Sequence, residues 1–301
     1  MLDFKVETFL CVAKHLNYTK AAEELGLTQP AVTQHIKALE NSYQVPLFQK
    51  QHRKIILSEE GKLLYNALTT MKHDDIFLRQ QLTTIHQKKK NLLFGATLTV
   101  AEYLLPDHLS QYLKEHPHTK MQMIVANSEK LLAMINNGEI DFAIIEGYFT
   151  KSDFDHLLYS KEHFVAVGSS QMDFRSIHTL DDLFSHRLIL REKGSGSRTI
   201  FEKYAEEKNI SSNDFFSCIE IGNINVLKQL VIQNIGITFL YEAAVQKELA
   251  SKQMTIIPLD DFPLTHDICF VWRKNSIFKE HYHSLFEKFN RINPKNRERK
   301  D

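Results

Sequence analysis

The sequence predicts an α/β protein that begins with a winged helix–turn–helix. Three observations carry that prediction. Residues 19–40 hold two short helical patterns around a sharp turn. A basic, strand-forming stretch follows at residues 49–57. From about residue 91 strand and helix patterns alternate, an order that demands a parallel sheet with crossover helices.

In chain order, residues 4–15 read as an amphipathic helix whose Phe4, Phe9, Val12 and Ala13 pack beneath the helix–turn–helix. Residues 19–25 turn Ala21, Ala22 and Leu25 to one side, and Gly26 can take the positive φ that ends a helix cheaply. Thr28 is placed to cap the next helix, and Pro30 suits its first turn, where no N–H is needed. Val32, Ile36 and Leu39 then form one apolar stripe, with Gln29, Thr33, Gln34 and Lys37 opposite and Pro30 and Ala31 on the first turn. A DNA reader needs that division: an apolar underside, with amide, hydroxyl and cationic groups to meet base edges and phosphates.

After a turn at Val45-Pro46, Leu47 and Phe48 anchor a short β-wing with a basic tip. Its Lys50, Arg53 and Lys54 are suited to phosphates or a minor groove, while His52 adds charge only at lower pH. Ser58 then caps a helix with Glu59 and Glu60 in its first turn. No Pro or Gly interrupts residues 62–87, a rod of about 40 Å. Leu64, Leu68, Met71, Leu78, Leu82 and Ile85, broken once by Asp75, form a narrow seam that implies a partner helix.

The Gln87-Lys88-Lys89-Lys90-Asn91 run marks the boundary of a larger region. Strands are predicted at 92–96, 121–125, 141–145, 164–167, 188–190, 216–221, 236–240 and 268–272. Helical patterns fall at 100–116, 128–137, 180–184, 200–208, 226–233 and 278–292, and the tail 293–301 is polar. Ligands of open α/β sheets collect at strand carboxyl ends, facing helix N-termini. Thr97 and Thr99 follow the first strand; Asn127 and Ser128 follow the second. Gly194, Ser195, Ser197 and Arg198 follow a later one, where Thr199 and Glu202 have capping-box spacing. Free N–H groups, hydroxyls and Arg198 together favour a small anion or carboxylate. Asn223 and Asn225 are weaker candidates, and each of these residues taken alone also fits ordinary helix capping.

The literal residues add a resemblance. Phe9-Leu10-Cys11-Val12-Ala13, Asn17-Tyr18-Thr19-Lys20-Ala21-Ala22, Leu25, Thr28 to Thr33, Ile36, Leu39-Glu40, Leu47-Phe48 and Glu60-Gly61 resemble the DNA-binding domain of LysR-type transcriptional regulators. The resemblance implies a domain division of 1–58 for the winged helix–turn–helix, 59–90 for a dimer-forming linker helix and 91–301 for a two-lobed, periplasmic-binding-protein-like effector domain. Lobe I would comprise about 91–160 and 268–292, and lobe II about 161–267. Crossing strands would lie near 157–160 and 265–268, with the Thr and Ser positions lining the cleft between lobes. Residues 95–106 and 190–198 look most like the branch associated with cysteine and sulfur metabolism, then like regulators of carbon fixation. Departures from the family pattern are Tyr43-Gln44-Val45-Pro46, where a glycine is usual, Lys50 in place of arginine, and the weakly basic Gln34-His35.

Composition bounds the alternatives. With 37 basic and 37 acidic residues in 301, no global field announces nucleic acid, so DNA binding must come from local patches. Cys11, Cys218 and Cys269 are few and widely spaced, which suits a reducing compartment. No signal-peptide core or membrane-length apolar run occurs; a cytoplasmic protein is expected. His116-Pro117-His118 and His73-Asp74-Asp75 lack metal-site spacing. Gly194-Ser195-Gly196-Ser197 is neither a phosphate-binding loop nor a nucleophile elbow. The reading is therefore a regulator, not an enzyme, with no cofactor or metal. Its partners would be double-stranded promoter or operator DNA, a small anionic effector and further copies of itself as homodimer or homotetramer. A cytoplasmic small-molecule binding protein whose N-terminal domain serves assembly is the alternative.

Overall fold

The computed structural model describes residues 3–52, 54–84 and 91–290. Arg53, Ile85, the Gln87-Lys88-Lys89-Lys90 run and the tail 293–301 lie outside the described residues. Three helices open the chain: α1 (Phe4–His15), α2 (Tyr18–Leu25) and α3 (Gln29–Tyr43). Their ends are set by local chemistry. The Asn17 side chain accepts from the N–H groups of Thr19 and Lys20; Gly26, at φ 65°, closes α2; and Thr28 accepts from the Ala31 N–H. Phe9, Val12, Ala21, Ala22, Val32, Ile36 and Leu39 share one core. Phe4 does not join it. It is half exposed and meets His35 of α3 edge-on at 5.7 Å.

The wing is an antiparallel pair, β1 (Phe48–Gln51) and β2 (Lys54–Leu57). Where a glycine is usual, Gln44 caps α3 at φ 58°, a left-handed conformation that costs a residue with a Cβ about 1–2 kcal/mol.

Helix α4 (Glu59–Thr84) starts as read, the Ser58 hydroxyl accepting from the Gly61 N–H at 2.8 Å. Its seam is arranged differently from the sequence expectation. Leu64 and Leu68 pack into the core of their own N-terminal domain. Phe77 packs on Phe278 and Tyr282 of the second domain. Met71, Leu78 and Leu82 of the predicted seam stay exposed, and Leu63 and Ala67 continue them as an apolar stripe. A three–four spacing cannot tell a partner helix from the chain's own domains, and here the chain's own domains cover one face of the helix while another stays exposed.

The second domain is ordered β3 (Asn91–Ala96), a π-turn (Val100–Leu104), α5 (Pro106–Glu115), β4 (Lys120–Val125), α6 (Ser128–Asn137), β5 (Phe142–Ile145) and β6 (Phe154–Ser169). Then come β7 (Arg187–Leu190), α7 (Gly196–Glu207), β8 (Ser217–Glu220), α8 (Ile224–Ile232) and β9 (Thr238–Tyr241). It closes with α9 (Glu242–Ala250), β10 (Met254–Ile256), β11 (Leu264–Arg273) and α10 (Lys279–Asn290). Pro106 divides the helix expected over 100–116. The 180–184 segment contains only one turn, Asp181–Leu183. Helix α9 and strand β10 were not anticipated.

Strands β4, β3 and β5 are parallel and form one lobe, while β7 and β8 are parallel and reach the other through β9. Strands β6 and β11 run antiparallel across both lobes, from Arg273 opposite Phe154 to Leu264 opposite Phe164, with a bulge between Ile268 and Cys269. Parallel strands buried on both faces explain the unbroken apolar run of β5.

Arg273, at the end of β11 and 1% exposed, ties α4 to this frame. Its guanidinium donates to the Asn66 carbonyl at 3.1 Å, Thr70 Oγ1 at 3.1 Å, Asn136 Oδ1 at 2.8 Å and the Asp153 carbonyl at 3.0 Å. Asp74 accepts from Ser276 at 2.6 Å and from the Ile277 N–H at 2.9 Å. Bonds to charged groups are each worth about 1.5–3 kcal/mol, so the helix is fastened rather than merely adjacent. From the cap geometry, Gln44→Gly should raise stability by about 0.5–1 kcal/mol, the relieved Cβ penalty less the extra unfolded-state entropy. Urea unfolding of both proteins checks this, and a lower midpoint for the glycine variant would contradict it.

Candidate DNA-reading face and inter-lobe site

Helix α3 turns its buried face inward and leaves Gln29, Pro30, Gln34 and Lys37 exposed, with Ala31 and Thr33 half-buried. Gln29 Nε2 donates to Thr33 Oγ1 at 2.9 Å, and that hydroxyl donates to the Gln29 carbonyl at 3.0 Å. The amide is thereby held along the helix. Lys50 and Lys54 are exposed on the wing. Among the described residues neither they nor Lys37 pairs with a carboxylate. Arg53, expected beside them, lies outside the described residues.

A groove of about 520 Å³ joins these parts, lined by Leu16, Asn17, Tyr18, Thr19, Gln29, Lys54, Ile55 and Ile56. It brings the first turns of α2 and α3 together with the wing. Tyr18 and Thr19 were not singled out from sequence, although their place just after the Asn17 cap was a usable signal. In the same domain Cys11, His15 and Glu24 converge within 4.8 Å. Lys14, at 2.9 Å, and His15, at 2.5 Å, already hold Glu24. Their bonds keep its carboxyl pKa down at about 2.

The second candidate site lies where the lobes meet. Thr97, Thr99, Ser128, Ser195 and Ser197 are all buried there. Asn127, rather than Ser128, caps α6, accepting from the Lys130 N–H at 3.0 Å. Its Nδ2 also donates to the Lys193 carbonyl at 3.4 Å across the lobes, and the Glu129 N–H donates to the Gly194 carbonyl at 3.3 Å. Ser128 Oγ donates to the Glu146 carbonyl at 2.7 Å. Helix α7 begins at Gly196, three residues before the Thr199 start assumed for a capping box. Thr199 therefore lies inside the helix, donating to the Ser195 carbonyl.

Arg198 departs most from its expected role. Its guanidinium is committed to Glu202 at 2.7 Å, Glu220 at 2.5 Å and the Arg191 carbonyl at 3.1 Å. It serves lobe II instead of facing the cleft. Asn223 likewise caps α8 and accepts from Asn225 and Val226 N–H groups.

Two residues missed from sequence complete the site. Glu146 directly follows β5 and is 2% exposed. It stands against the first turn of α7, where the Ser197 N–H favours its charged form. The contact is close: a Cβ on Gly196 would lie 2.5 Å from Glu146 Cγ, and one on Gly147 would lie 2.7 Å from Gly196 Cα. Glycine is required on both sides because the backbones touch. Burial pushes the Glu146 pKa up to about 7, opposed by nearby Thr99, Arg191 and the Ser197 N–H. Arg191, 5% exposed, pairs with Glu192 at 2.9 Å.

Even so, Thr97 Oγ1, Thr99 Oγ1, Glu146 Oε2 and Arg191 Nη1 are buried without a hydrogen-bond partner. Thr99 is near enough to favour the charged carboxylate without completing a bond of normal geometry. Leaving such atoms unpaired costs about 1–3 kcal/mol each. A carboxylate after four apolar strand residues, immediately before a glycine, was the signal available in the sequence.

No described helix is long and apolar enough to cross a membrane. A family model for the LysR substrate binding domain matches residues 86–286, and one for the bacterial regulatory helix-turn-helix protein, lysR family, matches residues 5–62. The chain is 25% identical over 273 residues to the HTH-type transcriptional regulator CysL of Bacillus subtilis, covering 88% of this chain and 89% of that one. It is 30% identical over 272 residues to the RuBisCO operon transcriptional regulator of Acidithiobacillus ferrooxidans, covering 86% and 84%. An OxyR structure from Corynebacterium glutamicum shares the fold at a TM-score of 0.60 and 22% identity, covering 96% of this chain and 90% of that one. With reader, wing and two-lobed domain in one chain, the protein belongs to the LysR family of DNA-binding transcription regulators, whose second domain takes a small-molecule effector.

Proposed function

We propose that this regulator reads operator DNA through Gln29, Pro30, Ala31, Thr33, Gln34 and Lys37, with Lys50, Arg53 and Lys54 on the backbone or minor groove. A small anionic or carboxylate effector is held between the lobes by Thr97, Thr99, Asn127, Ser128, Gly194, Ser195 and Ser197. Arg198 drops out of this reading because it is bonded within lobe II. The observation that carries the proposal is the group of buried, unpartnered atoms at the lobe contact. Four such atoms in one place are what a site leaves for a ligand to satisfy. Effector binding biases closure of the lobes, and α4 carries that bias to the reader.

The domain division 1–58, 59–90 and 91–301 follows the same roles. The exposed stripe Leu63, Ala67, Met71, Leu78 and Leu82 supports a dimer formed along α4, which can pair again into a tetramer. The site of action is the cytoplasm, where the DNA is.

Two expectations test these assignments. Gln29→Ala should relax base preference by about 1–3 kcal/mol at one position, whereas Lys54→Ala should weaken all sequences alike and lower the salt slope by about 1. Operator and random-duplex titrations over a salt series measure both. Unchanged binding in the two variants contradicts the reader assignment. For the cleft, calorimetry of the parent and a Thr99→Ala, Ser195→Ala double variant with an effector that alters operator binding should show at least tenfold weaker binding by the variant. Equal affinity rules the cleft out.

A further inference from the structure

The lobe contact holds a feature that an anion site should avoid. Anions favour helix N-termini, and the first turn of α7 already receives one from the chain itself. The Glu146 side chain, carried by lobe I, packs on the first turn of α7 in lobe II, where a Cβ on Gly196 would lie 2.5 Å from its Cγ and the Ser197 N–H favours its charged form. Its Oε2 makes no hydrogen bond, Thr99 stands near it without completing one, Thr97 Oγ1 is also unpartnered, and Arg191 Nη1 lacks an acceptor. An unpaired acceptor and an unpaired cationic donor call for a ligand with both kinds of group.

We propose that Glu146 is a specificity-determining residue of the cleft, admitting small carboxylates that bring an ammonium or hydroxyl donor to Oε2 and rejecting anions that have none. This rests on the cleft being the effector site. A bare anion at the start of α7 would face a buried carboxylate with nothing between them, and in a poorly solvated site that repulsion is strong. Such an anion can enter only when Glu146 carries a proton. A donor-bearing carboxylate instead places its donor on Oε2 and its carboxylate toward the Thr hydroxyls and Arg191.

The surroundings decide how this depends on pH. Arg191 and Glu192 face Glu146 from the loop before α7; Tyr241, Glu162 and Tyr148 share its field; and His266 meets Tyr241 at 3.3 Å. Burial raises the pKa of Glu146 to about 7, so it is ionised at pH 8 and largely neutral at pH 6. Sulfate binding therefore takes up a proton, and its affinity rises as pH falls. His266 gains charge over a lower range, since burial lowers its pKa. Its contribution survives in a Glu146 variant, which separates the two.

The test is sulfate and L-serine binding to the full chain by calorimetry at pH 6 and pH 8, for the parent, Glu146→Gln and Glu146→Asp. At pH 8 Glu146→Gln should bind sulfate at least tenfold more tightly than the parent. The parent's sulfate affinity should rise several-fold between pH 8 and pH 6, and that slope should flatten in Glu146→Gln. L-Serine should bind the parent at pH 8 more tightly than sulfate does, and Glu146→Gln should lose that preference. Glu146→Asp keeps the charge and should go on excluding sulfate; the parent's own pH slope stands even if a variant does not fold. Equal sulfate affinity in parent and Glu146→Gln, or a parent without pH dependence, overturns the proposal. If sulfate then binds but stays sensitive to Thr99→Ala, only the role of Glu146 has failed; if it is insensitive, the cleft reading fails with it.

Discussion

The antiparallel pairing of β6 with β11 is the constraint on which the rest depends. These are the strands common to both lobes, and their ladder is continuous except at the bulge between Ile268 and Cys269. A bulge bends a strand and increases its local twist. The ribbon that joins the lobes thus has one bend, within an otherwise hydrogen-bonded ladder. At one edge of that ribbon the lobes touch through Glu146, Gly147 and Gly196. At its end Arg273 grips α4. Under the proposed function, a shift of the lobes about this bend alters the contact at the cleft, and α4 is bonded to the strand that carries it. That is the proposed route from ligand to reader.

Charge is distributed to match. The chain is neutral overall, yet Lys37, Lys50 and Lys54 are exposed on one face, while Arg191, Arg198 and Arg273 in the second domain are bonded internally. Lysines left in water are available to phosphates at little desolvation cost. Arg198 and Arg273, buried with fixed partners, act as structural fasteners instead, while Arg191 keeps one guanidinium nitrogen unpaired at the lobe contact. Net charge alone concealed this division, because it adds two populations with opposite duties.

What the sequence made legible was local. Asn17, Gly26 and Thr28 end or begin helices through bonds within a few residues, so the helix–turn–helix was readable from spacing. The parallel strands were readable because burial on both faces leaves apolar runs such as that of β5. Where a residue's role depended on distant chain, reading failed. Leu64 and Leu68 fit a seam, but their partner is α1 and its neighbours, a fact no heptad spacing contains. Thr199 and Glu202 had the spacing of a capping box, yet α7 starts earlier and Arg198 competes for Glu202. Glu146 and Arg191 acquire meaning only when β5 and β7 bring their ends together. Helix α9 mixes Glu, Gln, Lys and Ala without a strong apolar period, so its 242–250 pattern gave little signal.

The central claim is that lobe closure at the cleft is coupled to DNA reading. It can be tested without knowing the effector. Asn127 and Lys193 face each other across the lobe contact, and replacing both by cysteine in a Cys218→Ser background allows a short bismaleimide to hold the lobes closed. Operator affinity of bridged and unbridged protein is then compared, with bridging confirmed by mass spectrometry. Coupling free energies between sites are usually about 1–3 kcal/mol, so the two forms should differ about fivefold or more. Indistinguishable operator affinity, with the bridge complete, would contradict the account.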